Sequence, residues 1–242
     1  LGELARNLVP TPLFGTTLAE LALLASDSPD ADALEALAAG ASIGAVVFDP
    51  DYVVNGDVAE VIIAADGERL TRWTGFTGEP HQTMDPTRRL ARVTPGETTD
   101  IGADPGLADT AALLLAAEQI AAAERCLQLT VDYTKERVQF GRPIGSFQAL
   151  KHRMADLYVR VQSTRAVVDE AIAEPSATSA ALARFSASET FSAVAAEAVQ
   201  MHGGIAITWE HDIQLYFKRA HGSAQLFGPP REHLRRLESE IL

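Results

Sequence analysis

With one cysteine, Cys126, among 242 residues, the chain can build no internal disulfide and no multi-cysteine metal site. It also lacks any apolar stretch near the roughly 18 uninterrupted residues of a membrane span. The N-terminal run Leu1-Gly2-Glu3-Leu4-Ala5-Arg6 has no apolar core followed by a cleavage site, and no initiator Met. The expectation is therefore a chain that begins inside a longer protein, without a signal peptide, in a reducing, cytoplasmic setting. Cations are scarce: 20 Lys and Arg stand against 33 Asp and Glu, a net charge of −13. Such a chain repels nucleic-acid phosphates and anionic membranes. An anionic ligand would need a local cluster of Arg, Lys or backbone amides. No GxGxxG, Walker loop or GxSxG pattern occurs, which argues against Rossmann, nucleotide-hydrolase and esterase readings. His202, His211, His221 and His233 have no metal-ligand spacing with cysteines or carboxylates, so no metal is expected.

What is present is 47% hydrophobic and 22% charged, ordinary for a globular protein, and three textures divide it. Residues 1–41 are Ala/Leu-rich, with helical spacing at Leu18, Leu21, Ala22 and Ala25 and a second short helix over Ala33–Ala39. Residues 42–104 form a small β region. Apolar runs at 43–48 and 61–65 are bounded by Asp, Glu, Gly and Pro, and Asp66-Gly67 signals a hairpin turn. Arg89 to Val93 alternates as a surface strand does. Residues 105–242 are helical. A first helix over 106–136 would be on the order of 45 Å long. A second carries Phe147, Leu150, Met154, Leu157, Val161, Val168 and Ile172 at spacings of 3 and 4, with Ser146 as its cap. A third carries Phe191, Val194, Ala198 and Met201 and stops at Gly203-Gly204. A fourth runs from Trp209 to Ala220 and contains His211-Asp212. Long helices with one apolar stripe each bury it best against one another. The fold class is α+β, mostly α: an antiparallel four-helix bundle after a small β domain and the end of a helical one.

Two segments have the residues for ligand chemistry. Tyr133 to Ile144 places Lys135, Arg137 and Arg142 at a helix end beside Phe140 and Gly141. The simplest reading is a C-terminal cap, since cations suit the negative end of a helix dipole. The functional reading is an anion site, in which Arg137 grips a pyrophosphate bidentately next to an aromatic ring. Gln200-Met201-His202-Gly203-Gly204 is either a helix stop or a place where a ligand approaches bare backbone. Cys126 lies within an apolar helix and reads as a packed core thiol.

The spacing Tyr133-x-x-x-Arg137-x-x-Phe140-Gly141-x-x-Ile144-x-x-Phe147-Gln148 resembles the first-to-second helix junction of the acyl-CoA dehydrogenase family. Gln200-x-His202-Gly203-Gly204, followed by Tyr216-x-Lys218-Arg219, resembles its third-to-fourth helix junction. The resemblance covers 106–240, with 1–105 as its continuation. It implies FAD held between subunits. Arg137 and Gln148 would contact its pyrophosphate and adenine end, and Phe140 would pack near the adenine. Gln200, Met201, His202, Gly203 and Gly204 would line the pyrophosphate of a FAD held mainly by a neighbouring subunit.

The resemblance also implies α,β-desaturation of an acyl-CoA, in which a carboxylate takes the α-proton and flavin takes the β-hydride. The family's base is the Glu of a run matching Gln225 to Pro230 here, and Phe227 stands in its place. An alternative base position on the first bundle helix falls at Ala111. Glu118 shares roughly that face but lies about 10 Å along the axis. Four readings follow: the FAD-holding, non-catalytic half of a homo- or hetero-oligomer whose partner supplies the base; a self-sufficient dehydrogenase with an unrecognised base such as Glu118; a flavin-free assembly scaffold; and an oxidase or monooxygenase on the same fold. Ala111, Ala112, Ala116 and Ala117 leave room for a bulky acyl group, or reflect tight helix packing.

Overall fold

The computed structural model describes residues 1–241, with side chains through Ser239. Residues 10–111 form one compact unit; residues 1–9 and 112–242 form the other. This two-way division differs from the three textures of the sequence. The first nine residues join the bundle, and the remainder of the Ala/Leu-rich segment joins the β region.

In the first unit, α2 (Leu13–Leu24) and α3 (Ala31–Ala38) precede seven strands: β1 (Gly44–Val47), β2 (Val53–Val54), β3 (Val61–Ala65), β4 (Arg69–Thr74), β5 (Thr77–Pro80), β6 (Leu90–Thr94) and β7 (Glu97–Ala103). They form two sheets, ordered β1-β3-β4-β7 and β2-β6-β5. β1 runs parallel to β3, and every other pair is antiparallel. The Asp66-Gly67 turn joins β3 to β4. Asp66 Oδ1 accepts from the Glu68 and Arg69 amides at 2.9 and 2.8 Å, and Gly67 supplies φ +92°. Ala45, Val47, Val53, Ile62 and Val93 make a small core. α2 lies close on β1, where the Thr16 hydroxyl accepts from the Gly44 amide at 3.2 Å.

The second unit contains α1 (Gly2–Arg6), α4 (Leu107–Glu136) from Ala112 onward, a hairpin of β8 (Val138–Gln139) and β9 (Arg142–Pro143), then α5 (Gln148–Ala173), α6 (Ala177–His202), α7 (Ile213–Gln225) and α8 (Pro230–Ile241). One apolar cluster joins α4, α5, α6 and α7, including Ile120, Leu127, Leu157, Val161, Val168, Phe191, Val194 and Ile213. The buried stripe of α5 is Leu157, Val161, Thr164, Val168 and Ala171, at spacings of 4 and 3. Ile172, expected in that stripe, is exposed, because Ala171 takes the core-facing position. Thr164 meets Thr190 of α6 by a hydroxyl hydrogen bond of 2.8 Å. Only residues 174–176 separate α5 from α6, so α6 folds back along it. Ser176 caps α6 through a reciprocal pair with Ser179.

Three local expectations change. Ser146 does not cap α5; it sits in a 3-10 turn (Ile144–Ser146), and its hydroxyl donates to the Pro143 carbonyl. α7 begins at Ile213 rather than Trp209, because a second 3-10 turn (Gly203–Ile207) and a bend absorb the preceding residues. His211 and Asp212 therefore precede the helix. α8 was not foreseen; Pro230 opens it, as proline does at a first helical position.

Gly44 marks how closely α2 rides on β1: a Cβ there would stand 2.6 Å from Ala19 Cβ. Gly44→Ala is expected to cost about 1–3 kcal/mol by overpacking, read as a lower unfolding midpoint in urea.

Candidate functional site

The two motif segments meet where helix ends converge. Tyr133 lies on the last turn of α4, one turn before Arg137. Its ring stacks on His202 at the end of α6, with centroids 4.2 Å apart and planes 21° apart. Its hydroxyl donates to the His202 carbonyl at 3.3 Å.

Beyond Arg137 the chain makes the two-residue β8–β9 hairpin. Phe140 and Gly141 at its tip both have positive φ, +53° and +77°, as a type I′ turn demands. Phenylalanine is costly in that conformation, and its ring is 93% exposed. A strained backbone that presents a bare aromatic ring points to a role at a surface that is covered in the working protein. Arg142 lies over the Phe147 ring at 4.0 Å, and Phe140 meets Phe147 edge-on at 6.2 Å. Arg137 is exposed and, among the described residues, has no carboxylate partner. Gln148, the first residue of α5, is exposed too.

At the other segment, Gln200 is exposed, whereas the Met201 and His202 side chains are buried. Gly203 ends α6 with φ +66°. Nothing lies within 4 Å of a Cβ built on Gly203 or Gly204, so both present open backbone. His202 Nδ1 donates to the Ala198 carbonyl at 2.7 Å, while its Nε2 is buried without a partner. A free guanidinium, an exposed ring and two bare glycines are what a phosphate-bearing aromatic cofactor requires. The residues fit a flavin dinucleotide.

The two positions that the family resemblance assigns to a base are apolar. Ala111 is fully buried, and Phe227 is half-buried with φ +55°. The turn holding Phe227 is gripped through its main chain. Arg184 of α6, wholly buried, donates to the Ser223 and Leu226 carbonyls at 2.7 and 2.8 Å. It also reaches Gln119 Oε1 at 3.0 Å and Ser188. His233 of α8 meets the Phe227 carbonyl at 3.1 Å. Glu118 is committed elsewhere: its carboxylate accepts from Arg219 at 3.0 Å, and both side chains are buried. Cys126 is a core thiol whose burial pushes its pKa up, which makes it inert. Burial likewise pushes the Tyr216 phenol up to about 12; its hydroxyl donates to the Arg6 carbonyl at 2.5 Å and pins α1 to the bundle. Among the described residues no three potential ligands gather around a metal, and no helix is long and apolar enough to cross a membrane.

The sequence reading missed Tyr133 as a side chain, along with His211, Arg184 and His233. The available signal for Arg184 was a long cation inside the alanine-rich stripe of α6.

A bundle of long helices and a small two-sheet unit in one chain, with an open cation, an exposed ring and bare glycines at the helix ends, are features expected of a flavoprotein of the dehydrogenase class. The model of the acyl-CoA dehydrogenase C-terminal domain matches residues 108–240. The chain is 71% identical over 241 residues to acyl-CoA dehydrogenase IpdE2 of Mycolicibacterium smegmatis, covering 100% of itself and 77% of that relative. Among solved structures, the steroid ACAD Tcur3481-Tcur3483 superposes with a TM-score of 0.84 at 25% identity, over 99% of this chain and 78% of that one. The ChsE4-ChsE5 complex of Mycobacterium tuberculosis gives 0.86 at 24% identity, over 99% and 78%, and shows the same fold. The chain belongs to the acyl-CoA dehydrogenase family, whose cofactor is FAD.

Two consequences are measurable. Burial disfavours the imidazolium of His202 and of His233, setting both below the ordinary histidine value near 6.5. The unfolded chain then takes protons more readily than the folded one, so stability is full above about pH 6.5 and declines as pH falls below it. Melting at pH 7.5 and 5.5 should show this loss, with a shallower slope in His233→Gln. Glu118→Gln, which leaves the Arg219 cation buried, is expected to cost about 3 kcal/mol in chemical denaturation.

Proposed function

We propose that this chain is the FAD-holding, non-catalytic subunit of a heteromeric acyl-CoA dehydrogenase. The observation that carries this reading is a combination. Both base positions are occupied by apolar residues, Phe227 and Ala111, while the two cofactor segments stay joined at the helix ends. Glu118 fills the structural role of an ion-pair partner for Arg219, which speaks against a self-sufficient dehydrogenase that uses it as base. The heteromeric names of two solved relatives, Tcur3481-Tcur3483 and ChsE4-ChsE5, support a partner of the same family.

The division of labour follows from the residues. Arg137 offers a planar fork to a pyrophosphate, and the open amides of Gly203 and Gly204 meet it without side-chain obstruction. Phe140 offers an exposed ring to the adenine, with Gln148 and Gln200 exposed on the two segments beside it. FAD, when bound, takes up the hydride that leaves the acyl β-carbon. The α-proton goes to a carboxylate of the partner subunit, because a phenylalanine ring at 227 cannot accept it. A ring-bearing acyl-CoA is the proposed substrate class, on the strength of the steroid ACAD likeness. Ala111, Ala112 and Ala116 on α4 are fully buried, as tight helix packing requires.

An anaerobic titration with a panel of acyl-CoA thioesters, followed by flavin absorbance, tests the proposal. The chain alone is expected to leave flavin unbleached, and the chain with its partner to bleach it. Bleaching by the chain alone would show a base within it and end the half-site reading. A complex without flavin absorbance would favour the scaffold.

A further inference from the structure

Beyond the segments themselves, we infer that Tyr133 and His211 are positioning residues for the cofactor: their rings pack on two adjoining sides of His202 and so lock the Gly203-Gly204 turn to the Arg137–Gln148 segment. This rests on the cofactor reading above.

Three rings from three elements make the clamp. Tyr133 ends α4, His202 ends α6, and His211 precedes α7. His211 closes on His202 with centroids 4.5 Å apart and planes at 60°, and meets Tyr133 edge-on at 5.8 Å. Its Nδ1 accepts from the Ile213 amide at 3.2 Å, which fixes it to the start of α7. The Tyr133 hydroxyl holds the carbonyl of His202, the peptide that leads directly into Gly203. That single hydrogen bond sets the plane from which the left-handed turn departs. Arg137 follows Tyr133 by one helical turn, so the guanidinium and the bare glycines are referred to the same ring.

The protonation of His202 fixes what it can do. Its Nδ1 carries the proton, because it donates to the Ala198 carbonyl at 2.7 Å. Its Nε2 is then a bare acceptor, buried and unpartnered. An acceptor lone pair repels phosphate oxygens. His202 is therefore not itself a phosphate ligand. It holds the turn so that the Gly203 and Gly204 amides and the Arg137 guanidinium receive the pyrophosphate. A triad serving packing alone gains nothing from an imidazole with an unsatisfied edge, since burying that edge costs free energy.

The test uses the flavin-loaded oligomer as purified. FAD release is followed by the fluorescence of the freed cofactor, together with melting of the flavin-free protein. Tyr133→Phe keeps the stack and loses one hydrogen bond; it is expected to weaken FAD about threefold, and Tyr133→Ala about tenfold or more. Nitrogen-edited histidine NMR of the wild type should show His202 protonated at Nδ1. Arg137→Ala separates the two inferences. If it leaves FAD affinity unchanged, the cofactor reading itself fails. If it weakens FAD while folded Tyr133→Ala binds as tightly as wild type, the clamp alone is overturned. Should Tyr133→Ala not fold, Tyr133→Phe decides, and wild-type affinity there overturns the clamp. An Nε2-protonated His202 also overturns it.

Discussion

A guanidinium with no access to water must be given acceptors, and the interior of the bundle is arranged around meeting that demand for Arg184. Its acceptors come from α4 through Gln119, from α6 itself through Ser188, and from the α7–α8 turn through two main-chain carbonyls. These groups converge only if α4, α6 and α7 keep one mutual register. The surrounding apolar contacts, mostly of alanine and valine, are less directional and would tolerate a slip. The buried cation thus supplies orientation where small side chains supply cohesion. Glu118 with Arg219 does the same across α4 and α7.

The opposite ends of these helices handle a different problem. There the chain leaves polar groups and large rings in the open: Arg137, Phe140, Gln148, Gln200, Ile207 and Trp209 are all exposed. Lys218 covers the Trp209 ring at 4.4 Å, a modest shelter for a large apolar surface. One end of the bundle is closed by buried hydrogen bonds, and the other keeps its capacity for external partners.

The long helices were legible because their stripes recur at 3 and 4 over many turns. α4 and the end of α6 were therefore located within a residue or two, and the Asp66-Gly67 turn was legible from its chemistry alone. The start of α7 was not. Trp209, Glu210, His211 and Asp212 are compatible with a helix, and nothing local says that a 3-10 turn after Gly204 will use them up. Ser146 is a good capping residue whose hydroxyl found the nearer Pro143 carbonyl. At the candidate site, exposed motif residues were named from their order in the chain. The ring contacts of Tyr133 were not foreseen, since its partners His202 and His211 lie 69 and more positions away and leave no mark in a single sequence.

The grip on the α7–α8 turn has a further implication. Arg184 and His233 hold carbonyl oxygens, and a carbonyl is the same whatever side chain its residue carries. These hydrogen bonds therefore form whatever side chain stands at position 227. A lineage can exchange the residue there and lose chemistry without losing the fold.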